Sequence, residues 1–202
     1  MNVPNSLTCS RLVLAAVLMA LLSIHLPFAK TIALLTFIIA AITDFLDGYL
    51  ARNKYGVTNF GKLMDPLADK IIVGAAFVGF VGITLGIDNK PLIPAWAAVL
   101  IISREFVVTG LRLLAVEQGR IISAGAWGKQ KTIWQMVSII LLLAGLALRD
   151  DWLHLVNGAT VSSVEKLLRP TAMVCMVLVV LVTVVSGYIY LKDNRDLFLK
   201  DA

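Results

Sequence analysis

The sequence predicts an all-α polytopic membrane protein, a six-transmembrane-helix bundle whose functional residues gather at the cytoplasmic membrane boundary. Three observations predict it. The chain is 59% hydrophobic and only 15% charged over 202 residues, with a mean hydropathy of +0.87, a balance too apolar for a soluble domain of this size. Apolar stretches recur near 12–27, 31–43, 71–87, 92–102, 133–148 and 171–191. The basic residues alternate between the connections: with six spans, Lys30, Lys90, Arg149, Lys166 and Arg169 fall on one side and the other thirteen Lys and Arg on the opposite side. The positive-inside rule then puts both termini and the aspartate-rich connection in the cytoplasm, with the protein multi-pass in the cytoplasmic membrane. That distribution also argues against nucleic acid as the partner of a chain with net charge +5.

The elements follow in order. Asn2 to Ser6 supplies turn and cap residues, so the first helix is expected to begin near Leu7 with Asn5 or Ser6 as N-cap. Residues 12–27 have the length of a signal-peptide core, but Arg11 alone makes a weak basic flank and no small-x-small cleavage pattern follows, so they are read as a span. Several apolar runs fall short of the roughly 20 residues that cross a bilayer. After Thr43 and Ser103, helix-forming sequence continues with charges in it. Asp44 to Arg52 would then project roughly 12 Å beyond the apolar part. Residues 53–61, with Gly56, Thr58 and Asn59, read as a short cytoplasmic loop. The longest polar connection, 149–166, lies outside in this topology.

No soluble stretch is long enough to bury its own core, so residues 1–202 are read as a single membrane domain. Cys9 and Cys175 suggest neither a disulfide nor a metal spacing and read as packing residues. His25 and His154 fall on the outer side as surface residues, and Trp96, Trp127, Trp134 and Trp152 read as interfacial anchors. Gly74, Gly79 and Gly82 offer close helix packing.

The chemistry is concentrated in Asp44-Phe-Leu-Asp47-Gly48-Tyr-Leu-Ala51-Arg52 and Gly61-Lys-Leu-Met-Asp65-Pro-Leu-Ala-Asp69. On a helix, Asp44, Asp47, Gly48 and Ala51 share one face at i, i+3, i+4 and i+7, which sets two carboxylates beside two side chains too small to block an approaching group. Asp65 and Asp69 stand at i and i+4. Were the two helices neighbours, both pairs would face a common gap. Four like charges in a low-dielectric setting raise one another's pKa unless a cation neutralises them. Carboxylate oxygens alone suit Mg²⁺, Mn²⁺ or Ca²⁺ rather than zinc, and such ions commonly bridge carboxylates to phosphate. The plainer reading is that aspartates at span ends face water and that Asp65 before Pro66 starts a helix. Four of them at these spacings, interleaved with Gly, Ala and Arg where charge is costly, favour a site.

The pattern Asp44-x-x-Asp47-Gly48-x-x-Ala51-Arg52, eight residues, Gly61-x-x-x-Asp65-x-x-x-Asp69 resembles the complete signature of the CDP-alcohol phosphatidyltransferases. Asn5-Ser-Leu-Thr8-Cys-Ser-Arg11, Ile102-Ser103-Arg104-Glu105-Phe106, Thr109-Gly-Leu-Arg112 and Gly128-Lys129-Gln-Lys131-Thr132 are similar to the bacterial branch whose acceptor is sn-glycerol 3-phosphate. The resemblance implies CDP-diacylglycerol as donor, Asp44, Asp47, Asp65 and Asp69 as ligands of Mg²⁺ or Mn²⁺ with two ions expected, and Asp69 as general base. It also implies that Asn5, Thr8, Gly48, Ala51, Arg52, Thr58 and Gly61 bind the cytidine diphosphate, in a homodimer embedded in membrane lipid. Asn5 and Thr8 could equally cap a helix, and Arg52 could reach to lipid headgroups.

An acceptor carrying its own phosphate needs cations, and Arg104, Arg112, Lys129 and Lys131 are the candidates. Arg104 and Arg112 lie eight apart, close to two helical turns and so near one stripe. Glu105 stands beside Arg104 to orient it. Basic residues would also gather here from the positive-inside bias alone. Two other readings stay open: the same chemistry with another acceptor (inositol phosphate, serine or an amino alcohol, or phosphatidylglycerol), and a cation transporter using the aspartates as an ion site.

Overall fold

Long runs of Leu, Ile, Val and Ala leave the backbone few partners but itself, and in hydrocarbon every N–H and C=O must be satisfied within the segment, which selects helix. Six α-helices follow among the described residues: α1 Val3–Ser23, α2 Ala29–Leu50, α3 Asn59–Gly82, α4 Ala95–Glu117, α5 Ala126–Ala147 and α6 Gly158–Asp193. A two-residue antiparallel ribbon, β1 Thr84–Leu85 with β2 Lys90–Pro91, joins α3 to α4, and a π-helical turn, Leu148–Trp152, extends α5. The computed structural model describes residues 3–50, 59–86, 89–117, 119, 126–153 and 158–195; for 3–8, 45–50, 59–66, 69, 117, 126, 158–160 and 162 the description is of the backbone.

One hydrophobic cluster draws on all six helices, with Leu18 from α1, Phe37 from α2, Phe77 and Phe80 from α3, Ile101 from α4, Leu142 from α5 and Val179 from α6. Alanines at 15, 33, 40, 76, 97, 98 and 172 are buried among them, and small residues are what allow helices to approach closely where lipid supplies no hydrophobic drive. Gly79 illustrates the closeness: a Cβ there would stand 2.4 Å from Leu22 Cδ1. Gly74 makes ordinary contact with Ile102 and Gly82 faces open space, so of the three expected packing glycines Gly79 carries the tight approach. Conversely, Val13, Ile39, Val99, Ile133 and Met173 are each more than half exposed, which suits a lipid-facing exterior rather than a water-facing one.

Two helical segments, Trp127–Trp152 and Ser163–Asp193, are long and apolar enough to cross a membrane by length and composition, and Cys9–Ser23 and Lys70–Gly82 are shorter apolar helices. The expected run-on after Thr43 and Ser103 is present, since α2 reaches Leu50 and α4 reaches Glu117. Three boundaries differ from expectation. The first helix begins at Val3, with Pro4 in the first turn where its missing N–H costs nothing. The third begins at Asn59, inside the expected 53–61 loop. The third apolar stretch ends at Gly82 rather than continuing to 87, because the chain turns through Gly86 at φ 72° into the ribbon.

The polar connection expected at 149–166 is largely helical. The π-turn absorbs its start, and α6 begins at Gly158. Charged residues of this connection are paired: Glu165 Oε1 lies 2.9 Å from Arg149 Nη2 and accepts a hydrogen bond from the Gly86 N–H at 2.9 Å. On the same side, Lys30 Nζ donates to the carbonyls of Leu21, Leu22 and Ile24 at 3.1, 2.7 and 3.1 Å and so caps the end of α1. Asp151 Oδ2 accepts from Thr31 N–H at 2.6 Å and from the Thr31 hydroxyl at 2.7 Å at the start of α2. Cys9 and Cys175 are free and partly buried, as packing residues would be. The four tryptophans are exposed, His25 is exposed, and His154 lies outside the described residues.

Candidate active site

The aspartate signature rides on two helices that share a partner. Asp44 and Asp47 belong to α2, Asp65 and Asp69 to α3, and both helices pack on α1 as well as touching each other. The backbone is helical at all four positions, which is the condition on which the reading of the i, i+3 and i, i+4 spacings depends. Asn5 and Thr8 lie in the first turns of α1, Gly48 near the end of α2 and Gly61 in the first turn of α3. Ala51, Arg52 and Thr58 fall outside the described residues, as do the side chains of Asp47, Asp65 and Asp69.

Asp44 has a described side chain, and it already holds a cation. Arg11 of α1 donates from Nη1 to Asp44 Oδ1 at 2.6 Å; the arginine side chain is 1% exposed and the aspartate 43%. A buried guanidinium stays in an apolar bundle only with such a partner. The arginine is therefore buried beneath the carboxylate while the carboxylate keeps an open side. The sequence signal for this was a lone charge at the edge of the apolar run of α1, but its partner, 33 residues away, could not be read from it.

The four expected acceptor cations do converge. Arg104 and Arg112 of α4 and Lys129 and Lys131 of α5 line one cavity of about 440 Å³. Lys70 lines it too, and Lys70 is the residue directly after Asp69, so the cavity borders the carboxylate helix. Among the described residues, five cationic side chains stand there against two carboxylates, Glu105 and Asp193, an excess of positive charge suited to an anion.

Glu105 organises two of the cations. Only 9% of its side chain is exposed; its Oε1 pairs with Lys131 Nζ and lies 3.3 Å from Arg104 Nη1. Arg104 Nη2 donates to Ser186 Oγ at 3.0 Å, and that hydroxyl donates in turn to the Thr183 carbonyl at 3.1 Å. Gly187, next along α6, makes room for the arginine: a Cβ there would lie 3.3 Å from Arg104 Cγ. The expected orienting role of Glu105 thus has a geometry, extended to Lys131. Ser186, Tyr190, Asp193 and Asn194 of the last turns of α6 and the loop after it also line the cavity, as does Trp127. These were not read as site residues. The available signal was a stripe of Ser186, Tyr190 and Asn194 at i, i+4 and i+8 on an otherwise apolar helix.

Residues 1–189 match the family described as CDP-alcohol phosphatidyltransferase. The chain belongs to that family. It is 37% identical over 207 residues to the CDP-diacylglycerol–glycerol-3-phosphate 3-phosphatidyltransferase of Bacillus subtilis, covering 96% of each protein. A protein of the same name from Rickettsia bellii is 31% identical over 198 residues, covering 98% of this chain and 97% of the relative. A probable phosphatidylglycerophosphate synthase of Mycobacterium tuberculosis is 36% identical over 200 residues, covering 97% and 83%.

Proposed function

We propose that this protein is a membrane enzyme that transfers the phosphatidyl group of CDP-diacylglycerol to sn-glycerol 3-phosphate, giving phosphatidylglycerophosphate and CMP. The observation that carries the reading is the five-cation cavity bordering the helix of Asp65 and Asp69. An anionic acceptor held there has its free hydroxyl within the reach of a carboxylate helix, and full-length relatives bear the name of this reaction.

In the reaction, the acceptor hydroxyl oxygen forms a bond to the lipid-side phosphorus while the bond from that phosphorus to CMP breaks. Asp69 takes the hydroxyl proton. Arg104, Arg112, Lys129 and Lys131 hold the acceptor's phosphate and so convert an encounter in solution into an oriented one. Asn5, Thr8, Gly48, Ala51, Arg52, Thr58 and Gly61 hold the cytidine diphosphate, with Arg52 suited to bidentate pairing with phosphate and the glycines leaving room.

The donor set fits a hard divalent ion: the signature supplies carboxylate oxygens at helical spacing, and Asp44 keeps an exposed side beyond its pair with Arg11. Asp44, Asp47, Asp65 and Asp69 would hold Mg²⁺ or Mn²⁺, two ions in our reading, whose chemistry is to neutralise charge developing on the phosphoryl oxygens and the leaving group.

Six spans in one domain over residues 1–202 put both termini and this site on the cytoplasmic side, among membrane lipids, in a homodimer. The charge distribution along the sequence and the single core drawn from six helices support the spans and their orientation, and the homodimer follows from the family resemblance alone.

Purified protein offered CDP-diacylglycerol with sn-glycerol 3-phosphate, inositol phosphate, serine or phosphatidylglycerol in turn tests the acceptor. Turnover with glycerol 3-phosphate is expected. Turnover with serine or inositol phosphate in its place would overturn the assignment.

A further inference from the structure

We infer that Tyr190 is a further ligand of the acceptor's phosphate, a neutral hydrogen-bond donor among the cations; this rests on the acceptor reading above. Tyr190 lines the cavity from the end of α6. Its hydroxyl is shut off from solvent and has no hydrogen-bond partner among the described residues. The same is true of Arg104 Nε and Arg112 Nε, and both arginines line the same cavity.

A buried hydroxyl or guanidinium N–H left unpaired is a standing cost to the fold, and most native structures pair nearly all of theirs. Three such groups on residues that line one cavity point to a partner that arrives with the ligand, after a side-chain turn that opens these solvent-closed atoms to it. The chemistry of the three narrows its nature. Arginine Nε only donates, and the Nη1 and Nη2 groups of Arg104 are already engaged by Glu105 and Ser186. The phenol of Tyr190, from the same cavity lining, complements the set as a third donor. Donors on all sides suit a group that only accepts, which in glycerol 3-phosphate is the phosphate dianion; its hydroxyls would bring competing donors of their own.

The consequence differs from that of a fifth or sixth cation. Charge holds a phosphate from any direction, whereas a hydrogen bond from a neutral group has an optimum direction and distance. Tyr190 therefore fixes how the phosphate sits, and with it where the attacking hydroxyl lies. Since the hydroxyl is unpaired before the ligand binds, removing it relieves a cost in the empty protein while weakening the loaded one.

The test compares wild type with Tyr190→Phe, both full-length and purified in detergent, by calorimetric titration with inorganic phosphate, by KM for each substrate and by melting temperature without ligand. The expected result is a roughly tenfold weaker phosphate Kd and a parallel tenfold rise in KM for glycerol 3-phosphate, the loss typical of a hydrogen bond to a charged group. KM for CDP-diacylglycerol stays within about twofold and the unliganded melting temperature does not fall. An unchanged phosphate Kd overturns the inference, whether KM for glycerol 3-phosphate is also unchanged or rises alone, since the latter would assign Tyr190 to the glycerol moiety. A variant that melts lower or fails to fold overturns it as well, by giving the hydroxyl a structural role. Wild type that binds phosphate through Tyr190 yet does not turn over glycerol 3-phosphate would sink the acceptor reading and leave the phosphate contact standing.

Discussion

Glu105 sits 7% exposed between two cations, and its charge matters to both. Lys131 is 4% exposed and pairs with it, so a neutral residue at 105 strands a buried ammonium. Breaking such a pair on one side costs on the order of 3 kcal/mol. Glu105→Gln is therefore expected to lower the melting temperature and to raise KM for the acceptor, with little change in KM for CDP-diacylglycerol; kinetics in both substrates check it. At this scale the sequence was partly legible. Arg104 and Arg112 announced themselves by helical spacing, and Lys129 and Lys131 by their place before an apolar run. The Arg11–Asp44 pair and the Arg104–Ser186 bond join residues 33 and 82 apart on different helices, and no local pattern encodes which turn of one helix meets which turn of another.

At the scale of elements, α6 is the component whose role the sequence hid. Its apolar run of Val and Leu reads as a lipid-crossing segment, yet its last turns furnish one wall of the cavity. Gly187 is the hinge of that arrangement in a steric sense, because a methyl group there would press on Arg104 Cγ from 3.3 Å. Gly187→Ala should shift the guanidinium by a few tenths of an ångström and raise KM for glycerol 3-phosphate roughly threefold to tenfold, a modest loss of positioning. Unaltered acceptor kinetics in this variant would show that the arginine has room to spare. Element boundaries were the least legible feature. Pro4 did not delay α1, because a helix tolerates proline in its first turn. Polar residues at 158–166 did not break α6, because Glu165 finds Arg149 and the Gly86 amide across the connection.

Taken as a whole molecule, the bundle has two chemically distinct ends. One carries the cation-lined cavity and the ends of α2 and α4; the other carries Lys30 on the last carbonyls of α1, Asp151 on the first turn of α2, the ribbon β1–β2 and a second cavity of about 770 Å³ between them. The alternation of basic residues along the sequence assigns the first of these ends to the cytoplasm in the proposed topology, an argument that depends on counts rather than on packing. In a background with Cys9 and Cys175 replaced by serine, Thr84→Cys should react with an impermeant maleimide in intact cells. Gln130→Cys should react only after the membrane is opened, and the opposite pattern would invert the proposed orientation.

The account depends most on acceptor phosphate and acidic signature acting together in one divalent-dependent transfer. Release of CMP from CDP-diacylglycerol by the purified protein, followed with and without glycerol 3-phosphate and before and after chelation of divalent ions, tests this most directly. The account predicts release that requires both the acceptor and Mg²⁺ or Mn²⁺ and that nearly vanishes in Asp69→Asn while the protein stays folded. Release that persists after chelation, or that is the same in Asp69→Asn as in wild type, would contradict it.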